Sequence, residues 1–298
     1  MPVQWIPAVE RAAIDDGQVL VGLLGQGIAG SRTPRMHMTE GHAQGLRYDY
    51  RLIDLADCDP RPALDEILSQ VEAAGFRGLN VTFPYKQAVI PHLDTLSEDA
   101  QAVGAVNTIV FRDGKRFGHN TDYWGFAENF RLGLPDVRRN ATLLLGAGGA
   151  GGAVAAALLG ARVGSLLIRD PDIAAAQRLA RALCDRFGRD RAKVATDLAS
   201  AAAIADGIVN TSPVGMEKLP GLPIPADLIE PRHWVADIVY FPLETELLAT
   251  ARALGCRVLP GTGMAIHQAV RAFELFTGLK ADPARMQVTF DSFEASNS

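Results

Sequence analysis

Leu143-Leu144-Leu145-Gly146-Ala147-Gly148-Gly149-Ala150-Gly151 decides the fold of this chain. A short apolar run enters a glycine-rich turn, and an alanine-rich helical stretch leaves it. The glycines match G-x-G-x-x-G in its strand-to-helix setting. Gly146 permits the sharp turn, Gly148 lets backbone approach a pyrophosphate, and Gly151 allows close packing of helix on strand. The helix start then offers N–H groups and a partial positive charge to phosphates. Glycines so spaced also serve turns with no ligand, so context matters. The next apolar strand ends near Asp170, where a carboxylate can accept hydrogen bonds from an adenosine ribose and repel a 2′-phosphate. That favours NAD over NADP. Arg169 points the other way if its guanidinium lies beside the ribose, because it could pair with that phosphate.

Working outward, strand and helix patterns alternate on both sides of this turn. Val19 to Leu24 predicts a buried strand, and Pro34 opens a helical stretch. Arg47–Leu55 alternates as a strand, Pro62 to Ala74 reads as a helix, and Gly78 to Thr82 as a further strand. Asn107 to His119 predicts a hairpin turning at Asp113-Gly114. A second series holds strands at Thr142–Leu145, Val163–Ile168, Ala192–Thr196, Gly207–Asn210 and Trp234–Tyr240. Such alternation implies an α/β protein whose parallel sheets carry helices on both faces. A helix over Tyr123 to Leu132 joins two domains, and a final helix covers Gly263 to Thr277.

The 298 residues suffice for two domains, each with its own core. An apolar fraction of 48% and a charged fraction of 21% are ordinary for a soluble globular protein. A net charge of −5 gives no reason to expect nucleic acid or an anionic membrane surface as partner. Met1 to Gly17 carries Glu10, Arg11, Asp15 and Asp16 and no apolar core, so no secretory signal is expected. The long uncharged run from Asn140 to Ala161 reads better as strand, turn and helix than as a membrane span. Cys58, Cys184 and Cys256 lack Cys-x-x-Cys spacing and read as reduced thiols, which predicts a cytoplasmic protein. The histidines form no metal-site pattern.

Two polar clusters stand out in the first half. Asn80-Val81-Thr82-Phe83-Pro84-Tyr85-Lys86 follows a strand, and His119-Asn120-Thr121-Asp122 closes the hairpin. Oxidising a secondary alcohol needs a hydride acceptor and a group to take the hydroxyl proton. A lysine beside a carboxylate can do the latter once desolvation favours its neutral form. Taken alone, Lys86 and Asp122 are equally a surface pair worth about 0–1 kcal/mol. Ser31-Arg32-Thr33-Pro34 places two hydroxyls at a helix entry, where they could hold a carboxylate with help from the helix dipole or simply cap the helix. Thr82, Asn107 and Gln268 could bond ring hydroxyls, or be ordinary structural groups. His267 reads as a helix-surface histidine.

These segments, in this order, resemble the shikimate dehydrogenase family. The resemblance is carried by Ser31–Pro34, Asn80–Lys86, Gly104-Ala105-Val106-Asn107-Thr108, Asn120–Phe126, Gly146–Ala150, Asn210-Thr211-Ser212-Pro213-Val214-Gly215-Met216, Asp237–Tyr240, Met264–Gln268 and the Phe273 to Gly278 tail. It implies a two-domain enzyme. Residues 1–122, completed by 263–298, would bind substrate, and residues 123–262 would form a Rossmann-type dinucleotide-binding domain. Lys86 and Asp122 become the catalytic pair. Ser31 and Thr33 hold the substrate carboxylate, Thr82, Asn107 and Gln268 the ring hydroxyls, and Tyr240 the substrate side of the cleft. Gly146, Ala147, Gly148, Gly149, Ala150, Gly151, Arg169, Asp170 and Thr211 become cofactor-binding residues, with Met264 near the nicotinamide.

Two departures bear on the reaction. Biosynthetic members usually carry Ser-x-Ser where this chain has Ser31-Arg32-Thr33, and Asn-Arg-Thr where it has Asp170-Pro171-Asp172. The resemblance therefore runs to the NAD-dependent quinate/shikimate dehydrogenase branch. It implies interconversion of quinate with 3-dehydroquinate, or of shikimate with 3-dehydroshikimate, in a monomer or homodimer. The alternatives are an NADP-dependent biosynthetic shikimate dehydrogenase, an aminoshikimate dehydrogenase and a non-catalytic quinate or shikimate sensor.

Overall fold

The computed structural model describes residues 18–295, so the Met1–Gly17 segment read above lies outside the described residues. The chain divides into two compact units. One runs up to Thr121 and resumes at Gln268, and the other is Asp122–His267.

The first unit is built on β1 (Gln18–Gly25), α1 (Thr33–Ala43), β2 (Arg47–Asp54), α2 (Leu64–Ala73), β3 (Gly78–Val81), β4 (Thr95–Leu96), α3 (Glu98–Val103), β5 (Thr108–Arg112) and β6 (Lys115–His119). Its six strands run in the order β2-β1-β3-β5-β6-β4. β1 is parallel to β2 and β3, whereas β5 is antiparallel to both β3 and β6. This corrects the expectation of purely parallel sheets, and the hairpin is the cause. Arg112 pairs with Lys115 across a two-residue turn in which Asp113 and Gly114 both have positive φ, as a tight hairpin needs. Leu24, Ile53, Ile67, Leu79, Val81 and Ile109 fill the core beneath α2.

The second unit opens with α4 (Thr121–Gly133), which starts at the boundary. It comprises β7 (Ala141–Leu145), α5 (Gly149–Gly160), β8 (Ser165–Arg169), α6 (Ile173–Phe187), β9 (Ala192–Val194), α7 (Leu198–Ile204), β10 (Gly207–Asn210), β11 (Trp234–Asp237), α8 (Glu246–Ala253) and β12 (Arg257–Leu259). The order is β12-β11-β10-β7-β8-β9 with every pair parallel, which is the doubly wound dinucleotide-binding arrangement. Helix α5 is buried along almost its whole length. Alanine and glycine make that possible, since larger side chains would hold the helix off the sheet. The uncharged run is thus strand, turn and helix. Among the described residues no helix is long and apolar enough to cross a membrane.

Helix α9 (Gly261–Thr277) is not the last, as α10 (Pro283–Ala295) follows it. From Gln268 onward the chain returns to the first unit. There Arg285 on α10 forms an ion pair of 2.6 Å with Glu40 on α1, whose side chain is fully buried. Glu40 also accepts from Gln44 and from the Asp282 backbone.

Candidate active site

In both units most of the sequence-predicted residues lie in loops at the carboxyl ends of the parallel strands, near the point where the strand order reverses. In open α/β sheets ligands bind at such switch points, because adjacent loops diverge there and leave a crevice.

In the first unit the switch lies between β1 and β3. The Leu24 carbonyl accepts from Thr82 N, and the Phe83 carbonyl accepts from Gln26 N. Gln26 also donates to the Tyr85 hydroxyl at 2.8 Å. These bonds join the loop after β1, which carries Ser31 and Thr33, to the turn after β3, which carries Thr82 and Lys86. Lys86 is half-buried, and its carbonyl accepts from Val106 N, beside Asn107. Among the described residues the hydroxyls of Thr33 and Thr82 make no hydrogen bond. Arg32, not Ser31 or Thr33, takes the N-cap position of α1, with no side-chain cap; Ser31 Oγ instead accepts a long bond from Thr33 N at 3.4 Å.

Asn107 is more committed than its sequence position suggests. It is buried, its Oδ1 accepts from Thr121 N at 2.7 Å, and its Nδ2 donates to Thr121 Oγ1 at 3.0 Å. Thr121 Oγ1 in turn lies 3.5 Å from Gln268 Oε1. Asn107 thus secures the start of α4 and joins Gln268 through Thr121. Asn80 is wholly structural: buried, it accepts from the Tyr50 hydroxyl and donates to Thr108. His37 is fully buried among Tyr48, Tyr50, Phe273 and Phe276, and burial lowers its pKa to about 3. It is a neutral packing group.

In the second unit the switch lies between β7 and β10. Gly146 has φ +109°, and a Cβ there would stand 2.8 Å from Ser212 N and the Thr211 carbonyl carbon. A Cβ on Gly151 would stand 2.5 Å from the Gly146 oxygen. Both glycines are demanded by backbone. At Gly148 and Gly149, by contrast, a Cβ would meet nothing within 4 Å. The turn therefore encloses an open cradle at the start of α5, which fits a pyrophosphate. Asp170 Oδ2 accepts from Ala147 N at 2.6 Å, and its Oδ1 from Asp172 N at 2.8 Å. Ala150 continues the first turn of α5. The Thr211 hydroxyl donates inward to the Leu145 and Gly146 carbonyls, so Thr211 shapes the turn from below. Arg169 accepts from Gly146 N through its carbonyl, while its guanidinium has no hydrogen-bond or ionic partner within the described residues.

Asp122 lies half-buried in the first turn of α4, at the start of the second unit, so it and Lys86 belong to different units. Tyr240 is 40% exposed and packs edge-on against Phe241, whereas Met264 is buried on α9. His267, read as a surface histidine, is half-buried with its ring edge to Trp124; burial lowers its pKa although Glu128 acts against it. Among the described residues no group of three or more His, Cys, Asp or Glu could hold a metal ion.

One group escaped the sequence reading. Asp54, at the end of β2, accepts from Gly27 N and Ile28 N, both at 2.9 Å, and from Ala56 N at 3.0 Å. The signal was present in Gly25-Gln26-Gly27-Ile28-Ala29-Gly30, a second G-x-G-x-x-G after a strand.

The comparisons agree with this geometry. The Shikimate dehydrogenase substrate binding domain family matches residues 23–109, and the Shikimate 5'-dehydrogenase C-terminal domain family matches residues 261–287. The chain is 53% identical over 272 residues to a shikimate dehydrogenase (NADP(+)) of Streptomyces avermitilis, covering 90% of this chain and 93% of that protein. It is 50% identical over 276 residues to a quinate/shikimate dehydrogenase (NAD(+)) of Corynebacterium efficiens, covering 91% and 97%. A solved quinate dehydrogenase from Corynebacterium glutamicum in complex with NAD superposes with a TM-score of 0.89 at 46% identity, covering 92% of this chain and 99% of that one. With a switch point in each sheet, the glycine turn and this kinship over nearly its full length, the chain belongs to the shikimate dehydrogenase family of oxidoreductases.

Proposed function

We propose that this enzyme oxidises a ring hydroxyl of quinate or shikimate with NAD, or runs that reaction backwards. The observation that carries the NAD preference is Asp170. Its carboxylate follows the end of β8 and accepts from Ala147 N, and from there it would accept ribose hydroxyls and oppose a 2′-phosphate. The NAD-named relatives support the same choice.

In this reading the first unit is the substrate domain and the second the dinucleotide domain. Ser31 and Thr33 bind the substrate carboxylate at the β1 side of the crevice. Thr82, Asn107 and Gln268 bind ring hydroxyls, and Tyr240 contacts the substrate. NAD, when bound, supplies the hydride acceptor. Gly146 to Gly151 would hold its pyrophosphate through backbone N–H groups, with Met264 beside the nicotinamide. Lys86 Nζ accepts the proton of the reacting hydroxyl, and Asp122 orients the ammonium that results. The α5 N-terminus needs no cationic side chain to hold phosphate, because its own unpaired N–H groups provide the donors.

A second reading, the NADP-dependent biosynthetic enzyme, is favoured by the uncommitted Arg169 guanidinium and by the Streptomyces relative. One experiment separates them: initial rates by reduced-nicotinamide absorbance, crossing quinate and shikimate with NAD and NADP. Turnover with NAD on either acid is the expected result. Turnover confined to NADP with shikimate transfers the assignment to the biosynthetic reading. No turnover of either acid, from folded protein, leaves the aminoshikimate or sensor reading.

A further inference from the structure

The loop between β1 and α1 is long, since the strand ends at Gly25 and the helix starts only at Thr33. A loop of that length has many conformations unless its backbone groups are tied down. Here they are tied by one side chain from the neighbouring strand. Gly25 is the register partner of Asp54, so the end of β2 delivers a carboxylate beside the point where the loop leaves β1. Asp54 Oδ1 accepts from Gly27 N and Asp54 Oδ2 from Ile28 N. The Ile28 carbonyl then accepts from Ser31 N at 3.0 Å, and Ser31 Oγ accepts from Thr33 N. The far end is fixed by Arg32, which donates to the Phe290 carbonyl at 3.1 Å and lies 4.9 Å from the ring centres of Phe290 and Phe293.

We infer that Asp54 is a positioning residue for substrate recognition: through Ile28 it sets the place of Ser31, and so the site for the substrate carboxylate. The inference rests on the reading that Ser31 and Thr33 bind that carboxylate. Asp54 acts as an anion on backbone donors and touches no substrate. Although burial works against its charge, the N–H groups of Ile28, Ala56 and Gly27 hold its carboxyl below the usual carboxylate range. The clamp is therefore charged throughout the neutral range. Such charge-assisted bonds are stronger than neutral ones, which suits a residue that must hold two successive N–H groups against loop entropy.

The test is a double-mutant cycle on kinetics, with Asp54→Asn, Ser31→Ala and the pair. Asparagine keeps the volume but turns one acceptor into a donor facing an N–H. Asp54→Asn is expected to raise KM for the acid about tenfold, the size of one lost charge-assisted hydrogen bond, with kcat and KM for NAD within about twofold. In the Ser31→Ala background the same change should add less than about twofold, because residues acting through one another are not additive. An unchanged KM for the acid in folded Asp54→Asn, or full additivity with Ser31→Ala, overturns the inference while leaving the carboxylate site intact. If Ser31→Ala alone leaves KM for the acid unchanged, the carboxylate reading itself fails and the inference falls with it. Should Asp54→Asn not fold, Asp54→Glu, which keeps the charge but misplaces it by a methylene, gives the same readouts.

Discussion

Each unit contains a strand, a turn of G-x-G-x-x-G spacing, a helix and a second strand with an aspartate at its end that accepts from the turn. In the second unit α5 starts at Gly149, within the motif, whereas in the first α1 waits until Thr33. That difference decides which groups face a ligand. Where the helix starts at once, its first N–H groups are the binding surface and the glycines keep side chains out of the way. Where it starts late, the intervening loop brings side chains, and Ser31 and Thr33 replace bare backbone. The aspartates differ likewise. Asp170 accepts one N–H from its turn and one from Asp172 beyond it, while Asp54 accepts two successive N–H groups of its loop. In the proposed reading, one strand-turn-helix plan yields a phosphate cradle when short and a hydroxyl-lined substrate loop when extended.

The largest effect should come from the first unit's chemistry. Lys86→Ala is expected to lower kcat by about 10²–10⁴-fold with KM for NAD within threefold, as for loss of a general base. A kcat within threefold of the parent in steady-state assays would remove Lys86 from that role and weaken the division of labour drawn above.

Next is the tie between α1 and α10. Arg285→Ala leaves the buried Glu40 carboxylate with Gln44 and the Asp282 backbone as its donors and should destabilise the first unit by about 1–3 kcal/mol, as for a lost charge-assisted hydrogen bond to a buried group. Denaturant titration measures the loss, and NAD binding by fluorescence should stay unchanged, because Glu40 and the cradle belong to different units.

Within the cradle, Gly146→Ala forces a side chain into a left-handed conformation against backbone and should cost about 1–3 kcal/mol in stability. Gly148→Ala adds a methyl to open space and should shift stability by less than about 0.5 kcal/mol, yet still weaken NAD by crowding the phosphates. Thermal melts beside NAD titrations check the contrast. Equal losses of stability would show that Gly148 is structural too.

The smallest effect concerns cofactor choice. Asp170→Asn keeps an acceptor for Ala147 N but removes the charge, so NAD should weaken by no more than about tenfold, or about 1.4 kcal/mol, while NADP gains relative to it. Unchanged ratios of kcat/KM for the two cofactors would mean that the Asp170 charge does not discriminate, and would shift interest to Arg169.

Legibility followed contact distance along the chain. The Gly146 turn could be read because strand, turn and helix are contiguous, and its glycine requirements are local. The Asp113-Gly114 hairpin was legible for the same reason. Helix α10 was missed because its apolar face is thin, consisting mainly of Met286 and Phe290 among polar residues. β12 and β4 were missed because three and two residues carry no readable alternation. Asn107 and Thr211 were legible as polar residues in the right loops, but their burial and inward bonds were not.

The sequence by itself determined the α/β class, the glycine-rich strand-turn-helix and the family to which the ordered motifs point, since each depends on residue type and local spacing. Only the tertiary structure decided that β5 lies beside β3, antiparallel to it, that Asp54 grips a loop far from it in the chain, and that Gln268 meets Thr121. It also set Glu40 against Arg285, residues separated by 245 positions. Such pairings depend on which strands lie side by side and where a late helix docks. Those are fixed by burying both faces of each sheet at once, a condition that no single stretch of sequence contains.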